Sequence, residues 1–120
     1  YLDNSFDLVM MIASFHHLTT VERRQMCLQE CYRVLQPGGT LVLSVWSINQ
    51  PEKTRRVFTR YGDHIVPWIQ RDKDTGETQT YNRYYYLFTI PELTQLCCEA
   101  GFTVKNTLWD CGNEIITLHK

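Results

Sequence analysis

Phe6-Asp7-Leu8-Val9-Met10-Met11-Ile12-Ala13-Ser14 and Thr40-Leu41-Val42-Leu43-Ser44-Val45-Trp46 decide how this chain folds. The first is an apolar run without helical spacing, and it reads as a strand buried on both faces. The second reads as another strand. Between them Thr19 and Glu22 form a capping-box pattern, and Val21, Cys27, Leu28, Cys31, Val34 and Leu35 share one helical stripe. Pro37-Gly38-Gly39 is expected to stop that helix and turn the chain into the second strand. Strand, helix and strand in so short a span make a βαβ unit, which implies parallel strands and a right-handed crossover.

Working outward, the last third reads differently. Pro91 opens a helix that runs through Leu93, Leu96 and Cys97, and Gly101 is placed to cap its end. Two strands follow, Phe102–Trp109 and Glu114–His119, closed by the turn Asp110-Cys111-Gly112-Asn113 into a hairpin. Residues 48–82 read as a long, charged connection punctuated by Pro51, Gly62, Pro67 and Gly76. A short helix over Lys53–Arg60 and a solvated turn over Asp72–Gln79 are expected within it. Connections of this length in a compact domain are usually functional or disordered.

The chain has 120 residues, enough for one domain with a modest core. A net charge of -1 gives no overall pull toward nucleic acid or an anionic surface. Local charge differs: residues 50–83 hold seven of the twelve Lys and Arg, alongside five acids. That segment reads either as a phosphate-contacting patch or as a solvated face. No apolar run approaches the roughly 18 residues of a membrane helix, so no membrane partner is expected. The five cysteines fall in helices or beside a turn and do not resemble a disulfide framework, which points to a reducing compartment. Cys27 and Cys31 share a helix face; buried apolar packing is favoured over a metal pair, and no metal site is assigned.

In open parallel sheets, ligands sit beyond the C-terminal ends of the strands. Those ends are Ala13-Ser14-Phe15-His16-His17 and Ser44-Val45-Trp46-Ser47. By position their backbones are candidates to touch a cofactor and their side chains to face an acceptor. Against this stand a capping or packing role for the histidines and a core role for Trp46.

Asp3-Asn4-Ser5-Phe6-Asp7-Leu8-Val9, His16-His17-Leu18 and Arg33-Val34-Leu35-Gln36-Pro37-Gly38-Gly39 resemble the later motifs of class I S-adenosylmethionine-dependent methyltransferases. Gly62-Asp63-His64-Ile65-Val66-Pro67-Trp68 and Asn82-Arg83-Tyr84-Tyr85-Tyr86-Leu87-Phe88 are similar, more narrowly, to the tRNA wobble-uridine carboxymethyl methyltransferases. That family includes the methyltransferase domain fused to AlkB-like dioxygenases. The family pattern carries His on both sides of Arg-Tyr-Tyr, where this chain has Asn82 and Tyr86.

The resemblance implies an α/β, Rossmann-like three-layer sandwich, present as its C-terminal part: a mostly parallel sheet with a reversed strand in a C-terminal hairpin. Residues 1–120 would then be the C-terminal portion of one methyltransferase domain, with a substrate-side insertion at about 48–83. The glycine-rich half that cradles the cofactor is expected upstream of Tyr1, and the 120 residues alone are expected to be inactive and to leave an unpaired sheet edge.

The implied cofactor is S-adenosylmethionine, held at Ala13, Ser14, Phe15 and His16. The implied reaction is methylation of the carboxylate of 5-carboxymethyluridine in the tRNA anticodon. Arg83 and His17 are the expected catalytic residues; Trp46, Asp63, Trp68, Tyr84 and Tyr85 are the expected substrate contacts. Asp63 is read as orienting a pocket Arg or capping a turn. The resemblance also implies a small zinc-binding activator protein as partner and a cytoplasmic or nuclear setting. Two other readings stay open: a methyltransferase for a small quinone or lipid intermediate, and a non-catalytic methyltransferase-like domain.

Overall fold

The computed structural model describes residues 1–120. Strand β1 (Phe6–Ile12) pairs in parallel with β2 (Leu35–Trp46), and helix α1 (Val21–Val34) connects them. A hairpin of β3 (Gly62–Arg71) and β4 (Thr78–Leu87) follows, then helix α2 (Ile90–Glu99). Strands β5 (Thr103–Asp110) and β6 (Asn113–His119) close the chain. The main sheet has the order β1-β2-β6-β5, and β6 runs against both neighbours. It is therefore a mostly parallel sheet with one reversed strand, while β3 and β4 form a separate two-stranded sheet.

One face of the main sheet carries the core. Leu41, Leu43 and Val45 of β2 and Ile116 and Leu118 of β6 are fully buried against Leu28 and Cys31 of α1 and Leu93, Leu96 and Cys97 of α2. Of the stripe read from the sequence, Cys27, Leu28 and Cys31 face this layer and Leu35 joins it from β2, while Val21 is exposed. The opposite face has no helices. On β1, Val9 and Met11 pack into the core, but Leu8, Met10 and Ile12 are exposed. The expected two-sided burial of β1 is corrected: it is an edge strand with one covered face.

Local chemistry sets the element ends, with two further corrections. The N-cap of α1 is Thr20, whose hydroxyl accepts from the Arg23 N–H at 3.2 Å, one residue later than the expected Thr19. Helix α1 ends at Val34, because Leu35 is already extended. Pro37-Gly38-Gly39 consequently lies inside β2, where the β1–β2 register shifts and Gly38 takes φ +79°. A side chain at Gly39 would stand 2.8 Å from the Gln36 carbonyl and 3.2 Å from that of Asp7.

The C-terminal expectations hold. Thr89 caps α2 ahead of Pro91, and Gly101 at φ +104° ends it. There the Gly101 N–H donates to Cys98 O and the Phe102 N–H to Cys97 O, the paired bonds of a Schellman ending. The β5–β6 turn places Cys111 and Gly112 at positive φ.

The middle of the chain is not the loop its composition suggests. The short helix expected over Lys53–Arg60 is a single 3₁₀ turn, Glu52–Thr54. Residues 62–87 are the long β3–β4 hairpin, turned through 72–77. In its turn the Asp72 carboxylate accepts from the Asp74 and Thr75 N–H groups. The hairpin meets the rest of the fold at its base, chiefly at the 3₁₀ turn Phe15–His17.

Candidate functional site

The C-terminal ends of β1 and β2 lie side by side and meet the base of the hairpin. Beyond Ile12 the chain bends sharply: Ala13 takes φ +50°, and its N–H donates to the Ser44 carbonyl at 3.1 Å and reaches Ser44 Oγ at the same distance. Ser14, exposed, starts the 3₁₀ turn. Phe15 is fully buried and stacks on Phe88 at 5.6 Å, so its side chain belongs to the core and only its backbone borders the strand end.

His16 is 1% exposed. Its Nδ1 accepts from the Trp46 N–H at 2.9 Å; the amide can only donate, so the ring proton sits on Nε2. Nε2 is buried with no partner. Burial, with a smaller contribution from His17, lowers the His16 pKa to about 3, so the ring stays neutral. Next to it the His17 Nδ1–H donates to the Tyr84 carbonyl at 2.7 Å, which leaves Nε2 as the free lone pair of the exposed ring.

Tyr85 closes the cluster. Its ring stacks on Trp46 at 3.9 Å and 13°, with His17 at 4.4 Å and His16 at 5.0 Å. At 4% exposure it is a wall, and its expected role as a stacking surface for a base is corrected. Phe58 and His64 extend the aromatic patch, and the Arg56 guanidinium lies 4.3 Å over Trp46. Arg56 is the cation beside the strand ends. Sequence reasoning placed it only in a diffuse basic segment.

Alternation along the hairpin separates the other expected residues. Tyr81, Arg83 and Tyr85 share a face with His64 and Trp68, while Tyr84, Tyr86 and Asp63 share the other. On that second face the Tyr84 hydroxyl donates to Asp63 and accepts from Arg24 Nη2 at 3.1 Å. The Tyr86 hydroxyl donates to Glu92 at 2.6 Å, beneath the Arg24 guanidinium, 3.8 Å from the ring centre. Arg24 also donates to the Leu18 carbonyl and is 3% exposed. Asp63 and Tyr84 therefore tie the hairpin to α1. Asp63 orients Arg24 through a phenol. Burial and the bond to Asp63 raise the Tyr84 pKa; the bond to Glu92 and burial raise that of Tyr86 to about 12.

Arg83 and Trp68 lie farther out. The Arg83 guanidinium sits 4.2 Å over Trp68, leaning toward the hairpin tip and away from the strand ends. Elsewhere Cys27 contacts Met11 sulfur to sulfur at 3.8 Å and Cys31 is buried; no three His, Cys, Asp or Glu side chains come together as a metal site.

Comparison with known proteins fits this architecture. A methyltransferase domain family model matches residues 1–43. The chain is 33% identical to the tRNA (carboxymethyluridine(34)-5-O)-methyltransferase of Schizosaccharomyces pombe, over 92% of this chain and 55% of that protein. A methyltransferase-like protein of Encephalitozoon cuniculi is 38% identical over 87% of this chain and 48% of its own length. Among solved structures, an S-adenosylmethionine-dependent methyltransferase of Methanosarcina mazei superposes with TM-score 0.68 at 23% identity, covering all of this chain and 61% of that one. The chain has the fold of S-adenosylmethionine-dependent methyltransferases, and its first third matches a methyltransferase domain. It spans about half the length of the curated relatives it matches. The β1-β2-β6-β5 sheet and its one helical layer correspond to part of that fold. The family's cofactor is S-adenosylmethionine, and its cradle lies beyond strand ends such as those of β1 and β2.

Proposed function

We propose that the strand-end cluster is the acceptor side of an S-adenosylmethionine-dependent tRNA methyltransferase that esterifies the carboxylate of 5-carboxymethyluridine at the wobble position. The observation that carries this reading is Arg56 on Trp46, beside a neutral, buried histidine at two parallel strand ends. A carboxylate with a pKa near 4 is ionised at neutral pH, so its methylation needs no base. The pocket suits that chemistry, since His16 is held neutral and cannot serve as an acid. Arg56 has the planar fork that binds a carboxylate in two places.

S-adenosylmethionine supplies the methyl as an activated sulfonium. Ala13 and Ser14, exposed at the bend, fit its amino-acid end; Phe15 adds backbone alone, and the His16 Nε2–H stays buried without a partner. His17 borders the acceptor with its free Nε2. Trp46 and Tyr85 exclude water and fix the approach of the oxygen. The small zinc-binding activator implied by the resemblance belongs to this reading as a partner of the whole protein.

The test is methyl transfer by the whole protein from labelled S-adenosylmethionine to tRNA bearing 5-carboxymethyluridine, read as a base-labile ester. Arg56→Ala is expected to lower kcat/KM by about 10- to 100-fold, the loss of one charged hydrogen-bonding group. Turnover of a small carboxylic acid with no transfer to that tRNA overturns the reading.

A further inference from the structure

The outer half of the β3–β4 hairpin has no role in the pocket, yet it is built for contact. Trp68 and Tyr81 face each other across the strands, 5.6 Å apart at 36°, and remain 42% and 41% exposed. Arg83 lies 4.2 Å over Trp68, leaving its guanidinium edges for solvent. The face they share carries no carboxylate along either arm: Asp63 is on the other side, and Asp72, Asp74 and Glu77 sit in the tip turn. The same face runs without interruption to His64 and Tyr85, at the strand ends. From Tyr81 to Tyr85 is four residues along one strand, roughly 13 Å. That offset is too far for the reacting group and within reach of a neighbouring nucleotide.

We propose that Trp68, Tyr81 and Arg83 form a second binding subsite, a platform on which an unpaired RNA base beside the modified one stacks. The proposal rests on the tRNA reading above and adds where the rest of the loop is held. Flat, exposed rings accept any base on their π-faces, and a guanidinium stacked on one of them meets the adjoining phosphate. The same residue types also make protein hot spots, but those lie in desolvated pockets ringed by contacts. Here the rings stand on a thin, two-stranded arm with solvent on both sides. Arg83 on this acid-free face, with Arg56 over Trp46 at its inner end, favours a polyanion. The carboxylates Asp72, Asp74 and Glu77, interleaved with Lys73, mark the outer end of the platform.

The experiment measures binding of an anticodon stem-loop RNA and methyl transfer to it, using the whole protein. Trp68→Ala is expected to weaken RNA binding about tenfold, the worth of one stacked base, with kcat at saturating RNA unchanged. Trp68→Phe should restore most of that affinity. Arg83→Gln should weaken binding and also flatten its dependence on salt by about one phosphate contact. An abasic nucleotide placed beside the modified one should cost wild type the same tenfold and cost Trp68→Ala nothing more. Full RNA affinity in Trp68→Ala, or an abasic loss that adds to that variant's own, overturns the platform while leaving the tRNA reading standing. Loss of kcat in Trp68→Ala also overturns it, by placing Trp68 in the pocket. Absence of both binding and transfer in the wild type sinks the tRNA reading itself. A variant that binds RNA fully but loses a protein partner assigns the surface to protein.

Discussion

The two ends of one hairpin use the same residue types for opposite purposes. At the inner end, Tyr85 is sealed between Trp46 and the paired histidines. At the outer end, Trp68 and Tyr81 stand open with Arg83 lying on the tryptophan. Both ends follow the same strand alternation, so composition does not distinguish them. What distinguishes them is the layer beneath: the inner end lies on the strand ends of the main sheet, and the outer end lies on nothing. An aromatic ring against packed neighbours is a wall, and the same ring against water is a surface.

The largest expected effect breaks the wall. Tyr85→Ala should destabilise the protein by about 3–5 kcal/mol, the usual cost of deleting a buried aromatic ring. Urea unfolding checks this, and the loss of the Trp46 stack should also change tryptophan emission. A loss below about 1 kcal/mol would mean that the inner end is not core.

Arg24 comes next, because it pins the hairpin from below. Arg24→Met removes the donor to the Leu18 carbonyl and to the Tyr84 hydroxyl, and it strips Asp63 of its nearby cation. Leaving such groups unsatisfied in a buried setting costs about 1–3 kcal/mol. Tyr84→Phe should cost less, and the double variant should cost less than the sum of the two, because both residues serve one network. Strict additivity would dissolve the network.

These two positions also show what the sequence disclosed. The βαβ unit and the closing hairpin were legible because their patterns are local: an apolar run, a helical stripe, a Gly at the αL position of a turn. The β3–β4 hairpin was hidden, since a strand pair exposed on both faces has no apolar alternation and Pro67 interrupts it. With the hairpin unseen, its faces could not be assigned, so Tyr84 and Tyr85 were grouped although a one-residue step puts them on opposite sides. Arg24 falls outside the apolar stripe of α1, so nothing local marks it as buried. Only the approach of Tyr84 and Tyr86 from a distant strand buries it. His16, His17 and Trp46 were legible because strand-end position depends on the βαβ unit alone.

A pH titration sharpens the inner end further. The His16 pKa is lowered to about 3 in the folded protein against about 6.5 unfolded. Between those values the unfolded chain binds the proton and the folded chain does not. Stability should therefore fall as pH drops below about 6.5, by roughly 1.4 kcal/mol per pH unit from this one group. His16→Phe should flatten the slope between about pH 6.5 and 5, at the cost of orphaning the Trp46 N–H at neutral pH. An unchanged slope would show that His16 protonates in place.

The smallest effect belongs to the outer end and tests the comparison most directly. Trp68 has one cross-strand partner and one cation above it, contacts worth about 0.5–1 kcal/mol each at exposed sites. Because the outer arms touch only each other, losing them opens the hairpin locally, and the cooperative core is left intact. Trp68→Ala should therefore leave the urea midpoint within about 0.5 kcal/mol of wild type while hydrogen exchange speeds up in residues 66–83. If the global midpoint instead fell as far as in Tyr85→Ala, the outer rings would be core, and neither the contrast between the hairpin ends nor an open stacking platform would survive.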